Sequence, residues 1–336
     1  MKAKRLPLGK LDPGFLNRSV LSRLPPAGRG VLVGPGIGED SAILDPGEGC
    51  GELMVVSSDP ISGAELNMGR YAVHVNANDV ATSGARPRFF LTNILLRRSA
   101  SGSDLESISK QIVDECQCLG VSIVGGHTEV SPIERTIVSS TMIGFVPRQR
   151  LARRPVAAGD RILLTKGAGI EGTSILASEM GGALSSLEPG LLRRGMGYSS
   201  MISVIPEAMV AAEEGVRRMH DPTEGGVIGG LRELAQSQDL YLRVFRERVS
   251  VREETRAICG ELGVDPLKLI SSGSLLCIFS PGAVNRVMTR LDGEGIASGV
   301  IGQVEGKGEA GLVIESGGEE EVIDDYPTDE LWRILS

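Results

Sequence analysis

The sequence predicts an α/β protein, strands and helices in mixed order, built as two domains of similar size that join near residue 155. Three observations predict it. Apolar runs bounded by turn residues alternate with stretches of helical periodicity along most of the chain. The alternation breaks at PRQRLARRPVAAGD (147–160), where four arginines, two prolines and no apolar period mark a linker. A length of 336 residues, 41% of them hydrophobic, exceeds one ordinary domain and supports two cores. The expected domains are therefore 1–155 and 156–336.

In the first half, Leu16, Val20, Leu21 and Leu24 repeat at helical spacing, and ELMVVSS (52–58) reads as a buried strand. Residues 67–84 form a candidate helix whose small and polar side chains suit an ordinary core helix poorly. RFFLTNILL (88–96) is a strand. Residues 103–120 are a helix begun by Ser or Asp and stopped by Gly, and 121–126 and 134–146 are strands. Beyond the linker the pattern gives strand 161–165, helices 171–180, 206–216 and 226–236, strand 241–245, helix 252–262, strand 274–279, helix 282–293 and closing strands.

Composition excludes several classes. Aromatic residues make up only 3% and the net charge is −8, which argues against nucleic-acid binding, where stacking rings and positive surfaces are needed. No run of eighteen apolar residues is present, so no membrane span is expected, and MKAKRLPLGKLDPGF is too broken by charge, Pro and Gly for a signal peptide. Cys50, Cys116, Cys118, Cys259 and Cys277 lack metal-finger spacing, and Cys116 and Cys118 would face different sides of their helix. They read as reduced thiols of a cytoplasmic protein.

Four segments combine glycine with a carboxylate at an element edge: GPGIGEDSAIL (34–44), SSDP (57–60), NANDVATSGA (76–85) and MHDPTEGGV (219–227). Magnesium takes oxygen ligands, commonly one or two carboxylates plus substrate phosphates, and glycines let backbone N–H groups approach a phosphate. Each aspartate also has a simpler reading. Asp40 could end a glycine turn, Asp59 could initiate one before Pro60, and Asp221 or Thr223 could cap the helix that follows. Asp79 could face solvent, although Val75, Val80 and Ala81 leave little room for that. GAGIEGT (167–173) follows a strand and opens a helix, as a phosphate cradle would, but lacks the Gly-Lys-Ser/Thr ending of a P-loop. His127, after Gly125 and Gly126 at a strand end, is a candidate to line a site; His74 reads as a helix-face residue one turn before Asn78, and His220 as a lead-in to the Asp221 cap.

In this order the motifs resemble those of the aminoimidazole ribonucleotide (AIR) synthase, or PurM-like, superfamily, whose members include HypE, thiamine-monophosphate kinase and selenophosphate synthetase. GIGEDSAIL resembles its Gly-Asp-Asp-Ala-Ala turn with Glu39 in place of the first Asp. NANDVATSGARP resembles its Asn-Asp helix, and MHDPTEGGVIGGLREL the HypE-type Asp-Pro-Thr segment. The resemblance implies a PurM-like two-domain fold, with an N-terminal domain that dimerises by joining sheets into a β-barrel and a C-terminal α/β domain. It implies ATP between them, with Asp40, Asp59, Asp79 and Asp221 holding Mg2+, and Gly36, Gly38, Asn78, Gly125 and Gly126 joining Asp40, Asp59 and Asp79 around the nucleotide. Asp221 and His127 would face the substrate; His127 stands where several relatives carry a carboxylate. The chemistry implied is ATP-dependent phosphorylation of an amide or carbonyl oxygen of a small molecule. The alternatives are a small-molecule kinase like the thiamine-monophosphate enzyme, or a non-catalytic ATP-binding dimer that itself acts as a maturation or regulatory partner; a maturation partner protein is a further expected partner. The sequence ends TDELWRILS, without the terminal Cys on which HypE builds its nitrile, so no covalent carbamoyl or cyano adduct is expected.

Overall fold

The computed structural model describes residue 6 and residues 8–47 and 49–335. The opening MKAKR and the final Ser336, on which the leader and tail expectations partly rest, lie outside them. The chain begins with a short helix α1 (Pro13–Ser19), capped by Asp12. It continues through β1 (Val31–Val33), β2 (Ala42–Leu44), β3 (Glu52–Ile61), α2 (Met68–Thr82), β4 (Arg86–Leu96), α3 (Gly102–Leu119), β5 (Ser122–Val130) and β6 (Ile137–Pro147). These strands form one six-stranded sheet in the order β1-β2-β3-β6-β4-β5. Strands β1 and β5 are its two edges, so within one chain the expected barrel is an open sheet.

After the linker come β7 (Arg161–Thr165), α4 (Ile170–Glu179), α5 (Pro189–Met196), α6 (Ile205–Glu213), β8 (Arg218–His220), α7 (Gly226–Gln238), β9 (Leu240–Phe245), α8 (Glu253–Leu262), β10 (Leu276–Phe279), α9 (Pro281–Gly293), β11 (Ser298–Lys307), β12 (Gly311–Ser316), β13 (Glu319–Val322) and α10 (Glu330–Leu335). The seven strands make a second sheet, β13-β12-β9-β11-β7-β10-β8. Its central strands are covered on both faces. Ile162, Leu164, Leu276 and Ile278 join the core beneath α7, whereas Leu163, Cys277 and Phe279 join the core beneath α6 and α9. Burial on both sides is why RILLT and SLLCIF are continuous apolar runs rather than alternating ones.

Helix α2 explains its own odd composition. Every residue of it except Arg70 is buried, because it packs against β3 and β6, against α3, and against α6 of the other half. A helix buried all round needs small residues: a Cβ on Gly69 would lie 2.8 Å from the Cβ of Gln111. Its polar residues are latches. Asn78 donates to the Ile202 carbonyl and accepts from the Val204 N–H, both at 2.9 Å, tying the two halves together. Asn76 accepts from the Asp59 N–H at 2.8 Å and donates to the Asp59 carbonyl at 3.2 Å, fixing the end of β3.

The arginine-rich linker is held at several points. Arg153 pairs with Glu39, the Arg154 N–H donates to the Arg217 carbonyl, and Arg217 reaches both the Pro155 carbonyl and Asp160.

Candidate functional site

Four chain segments meet in a cavity of about 190 Å³. The 36–40 loop contributes Gly36, Gly38 and Asp40; the end of β3 contributes Asp59; α2 contributes Asp79; and the end of β8 with the turn after it contributes His220 and Asp221. Lys10 enters from the N-terminal segment and Glu233 from α7. The four aspartates predicted as a metal set are therefore brought together, although they come from positions 40 to 221 of the sequence. Gly38 has φ +72, and a Cβ there would collide with the Glu233 carbonyl, so the loop carrying Asp40 sits directly on α7 only because residue 38 is glycine.

Asp221 does not cap α7. That helix begins at Gly225, in the left-handed region, whose N–H is taken by Asp329 at 2.6 Å. Both Asp221 carboxylate oxygens are buried and accept from no N–H or hydroxyl among the described residues; only the Asp79 carboxyl, when protonated, can share a proton with them. Burial, and after it the charge of Asp40, push its pKa up to about 8, against the opposing pull of His220. Burial likewise raises Asp79, with Asp221, Asp59 and Asp40 adding to the rise, although the Ser57 hydroxyl donates to it at 2.5 Å. Asp59 is raised by burial and partly relieved by Lys10.

Beside the aspartates runs a chain of opposite charges. His220 Nδ1 lies 2.5 Å from Asp40 Oδ1, a contact off the ring N–H direction and so an ion pair rather than a linear hydrogen bond. Its Nε2 lies 3.0 Å from Glu233 Oε2, and the Lys10 ammonium pairs with the other Glu233 oxygen. Burial works against charge on His220, yet the two carboxylates win and lift its pKa to about 10. Burial works against charge on Glu233 too, but Lys10 and His220 hold it near about 2.

The remaining predicted residues lie elsewhere. Gly125, Gly126 and His127 belong to β5, which is exposed along its whole length. Asp59, Ser140, Thr92 and Gly126 stand in one row across the sheet, so at about 4.8 Å per strand His127 is roughly 14 Å from Asp59. Its side chain, 63% exposed, meets Glu129 at 3.3 Å. The glycine pair has a local cause. A bulge shifts the β4–β5 register beside Leu91, and a Cβ on Gly126 (φ +156) would strike the Thr92 backbone. Asn78 is spent on its two backbone bonds and does not line the cavity. GAGIEGT is no open cradle either, because protein groups take its amides: Ala168 N–H donates to Ser250, Gly169 N–H to the Ser271 hydroxyl and Gly172 N–H to Ile270.

Whether the cavity fits magnesium turns on its donors. Lining it are six carboxylates, Glu39, Asp40, Asp59, Asp79, Asp221 and Glu233, with Asp221 taking no N–H or hydroxyl donor. Buried carboxylates without partners are costly unless a cation meets them. Among the described residues no three acidic, His or Cys side chains are grouped so as to hold a metal ion by themselves, so an ion here would need phosphate oxygens and water as further ligands. The donor set fits.

Fold and site together define a two-domain α/β protein with an acidic cavity where both halves meet. Family models agree: "AIR synthase related protein, N-terminal domain" matches residues 38–146, and "AIR synthase related protein, C-terminal domain" matches residues 157–315. The chain belongs to the AIR synthase-related family. Carbamoyl dehydratase HypE of Azotobacter vinelandii is 30% identical over 251 residues, covering 71% of this chain and 70% of that protein. HypE of Escherichia coli K12 is 26% identical and covers 73% of each. Among solved structures, HypE in complex with ATP superposes with TM-score 0.70 at 24% identity, covering 94% of this chain and 93% of that one. A ThiL structure complexed with AMPPCP and TMP gives 0.69 at 18% identity, covering 87% and 91%. At these identities the structural likenesses show the shared fold. Within it, no helix among the described residues is long and apolar enough to cross a membrane.

Sequence reasoning missed Lys10 and Glu233 and read His220 as a lead-in only. One signal was available: Glu233 follows Gly226, Gly229 and Gly230 by seven, four and three positions, an acidic residue on the small-residue face of α7.

Proposed function

We propose that this protein is an ATP- and magnesium-dependent enzyme that phosphorylates an amide or carbonyl oxygen of a small substrate and so activates it. The observation that carries this reading is Asp221, whose buried carboxylate takes no N–H or hydroxyl donor and shares a cavity with Asp40, Asp59 and Asp79. These four would hold magnesium, which supplies charge neutralisation at the transferred phosphoryl group. At about 190 Å³ the cavity falls below the roughly 300 Å³ of a whole-ligand pocket, and so suits the metal-bound phosphates of a nucleotide. The backbone at Gly36 and Gly38 gives phosphate oxygens close approach, and Asp221 stands at the substrate side. The names of the relatives, a carbamoyl dehydratase and structures with ATP or AMPPCP bound, support ATP chemistry at this site.

The proposed units are 1–155 for nucleotide binding and dimerisation and 156–336 for the second α/β domain, in a cytoplasmic protein. A homodimer is favoured by the N-terminal sheet. Strand β5 is an unpaired edge with Ile123, Val124 and Val130 exposed, and the sheet face away from α2 carries half-buried Met54, Val56, Leu91 and Ile143. In such a dimer His127 would serve the second copy's site. The solved HypE–HypF complex supports a maturation protein as a further partner.

The test follows labelled γ-phosphate from ATP against a panel of amides and carboxamides. Magnesium-dependent ADP release that requires both a substrate and Asp221 is the expected result. A stable phosphorylated alcohol product would instead favour a plain kinase, and tight ATP binding without turnover on any substrate a regulatory dimer.

A further inference from the structure

Within the aspartate set the Asp79 carboxylate takes the Ser57 hydroxyl and the Asp40 carboxylate is paired with an imidazole, that of His220. We propose that His220, braced by Glu233 and Lys10, is a positioning residue: it fixes Asp40 so that the free oxygen of that carboxylate faces the cavity. This rests on reading the cavity as a magnesium–nucleotide site.

The geometry is specific. His220 ends β8, immediately before Asp221, so the same short turn delivers one carboxylate to the cavity and the brace of another. The ring is buried, with 5% of the side chain exposed, and each nitrogen faces a different carboxylate, Asp40 at 2.5 Å and Glu233 at 3.0 Å. It cannot turn without giving up one of them. A Cβ on Gly230 would come within 3.2 Å of the imidazole edge, so α7 closes the remaining side. Glu233 is itself tied at both oxygens, one to His220 and the other to Lys10, with Tyr326 donating to the latter oxygen at 3.3 Å.

Asp40 otherwise sits on a glycine loop, Gly36-Ile37-Gly38, the kind of backbone that moves. Loops are poor platforms for a ligand that must be placed within about half an ångström, unless supporting hydrogen bonds lock the side chain. Groups that orient metal-binding carboxylates commonly matter by about 10- to 100-fold in metal affinity. His220 supplies that support from the opposite half of the molecule, so closing the two halves and forming the site become one event.

Two nearly isosteric replacements separate positioning from packing. In His220→Asn the amide nitrogen occupies the place of Nδ1 and can still reach Asp40. In His220→Gln it occupies the place of Nε2, reaching Glu233 but not Asp40. Both remove the same charge, so their difference reads geometry alone. The measurement is manganese(II) binding by electron paramagnetic resonance with ATP present, on the full chain, with thermal melting alongside. His220→Gln is expected to weaken manganese binding about tenfold or more, and His220→Asn by no more than about threefold. Parent-like affinity in both, or equal losses in both, overturns the proposal. Should neither variant fold, Glu233→Gln replaces them, with a loss of several-fold expected and parental affinity overturning the brace. Asp59→Asn is the control. If it binds manganese and ATP as the parent does, the magnesium–nucleotide reading itself fails; if it loses them while the histidine variants do not, only the role of His220 fails.

Discussion

Replacing Asp221 by Asn should make the metal-free protein more stable while removing its response to magnesium–ATP. In the folded chain both Asp221 oxygens are buried without an N–H or hydroxyl donor, and its pKa rises from an ordinary 3.8 to about 8. Between about pH 4 and pH 8 the unfolded chain releases this proton while the folded chain keeps it, so stability falls as pH rises through that window. At pH 7 the distance from 3.8 is roughly 3 units, or about 4 kcal/mol, an upper value because Asp79 and Asp59 share the same cluster. Asparagine carries no charge there and can donate to a neighbouring carboxylate. A gain of about 2–4 kcal/mol, divided by an unfolding entropy near 0.7 kcal/mol/K for this length, shifts the melting temperature up by about 3–6 °C in EDTA. With magnesium–ATP at about 100 times its dissociation constant, the parent gains about 2.7 kcal/mol and the variant little. Differential scanning calorimetry at pH 7 therefore should show the order of the two proteins narrow or reverse when EDTA is replaced by magnesium–ATP. A variant that melts lower than the parent in EDTA, or gains as much from the ligand, would refute the reasoning.

Three further outcomes follow from the same structure. Gly38→Ala must take up a left-handed φ and push against the Glu233 carbonyl, so it should cost about 2 kcal/mol or more and weaken ATP binding by calorimetry; parental affinity would contradict the placement of that loop. Glu115, which clasps α2 to α3 through His74 at 2.9 Å and Arg70 at 2.6 Å, has its pKa held down at about 2, so its contribution is present above about pH 4.5 and lost as pH falls toward 2. Glu115→Gln should accordingly flatten the acid end of the stability–pH curve followed by circular dichroism, and an unchanged acid limb would count against the clasp. Val124→Glu, on the exposed β5 edge, should leave the fold intact but turn a dimeric parent into a monomer by light scattering; a parent already monomeric at micromolar concentration would remove the dimer from the proposal.

Most of the secondary structure was legible because burial imposes periodicity. RILLT and SLLCIF read as strands since both their faces are covered, and 103–120 read as a helix from a Ser or Asp start and a Gly stop; Gly120 does end it, but the capping serine is Ser101, two residues earlier. Shorter elements escaped: β1 and β8 are too brief to show a period. Asp40, Asp59 and Asp221 were visible because each sits near a glycine turn or an element end, and Asp79 because it is a charge among the small and apolar residues of α2. Lys10 was not, and Glu233 only by its place on the small-residue face of α7, since their role comes from packing an N-terminal segment against that helix. Glycine misled twice. Gly126 sits beside a bulge against the Thr92 backbone, Gly167 against the Ser250 carbonyl and Gly172 against the Leu269 side chain, so protein neighbours, not a phosphate, exclude a side chain there. Asn78 misled for a related reason, because a polar residue on an all-buried helix was as much in demand for joining the two halves as for binding a nucleotide.

The most direct test is a calorimetric titration of the full chain with ATP, in magnesium and again in EDTA, run beside Asp59→Asn and Asp79→Asn. A carboxylate cavity that takes metal-bound phosphates predicts binding in magnesium that is lost in EDTA, and a loss of about tenfold or more in each variant, the scale of one missing charge contact in a buried site. ATP binding that is equally tight in EDTA, or unchanged in both variants, would contradict it.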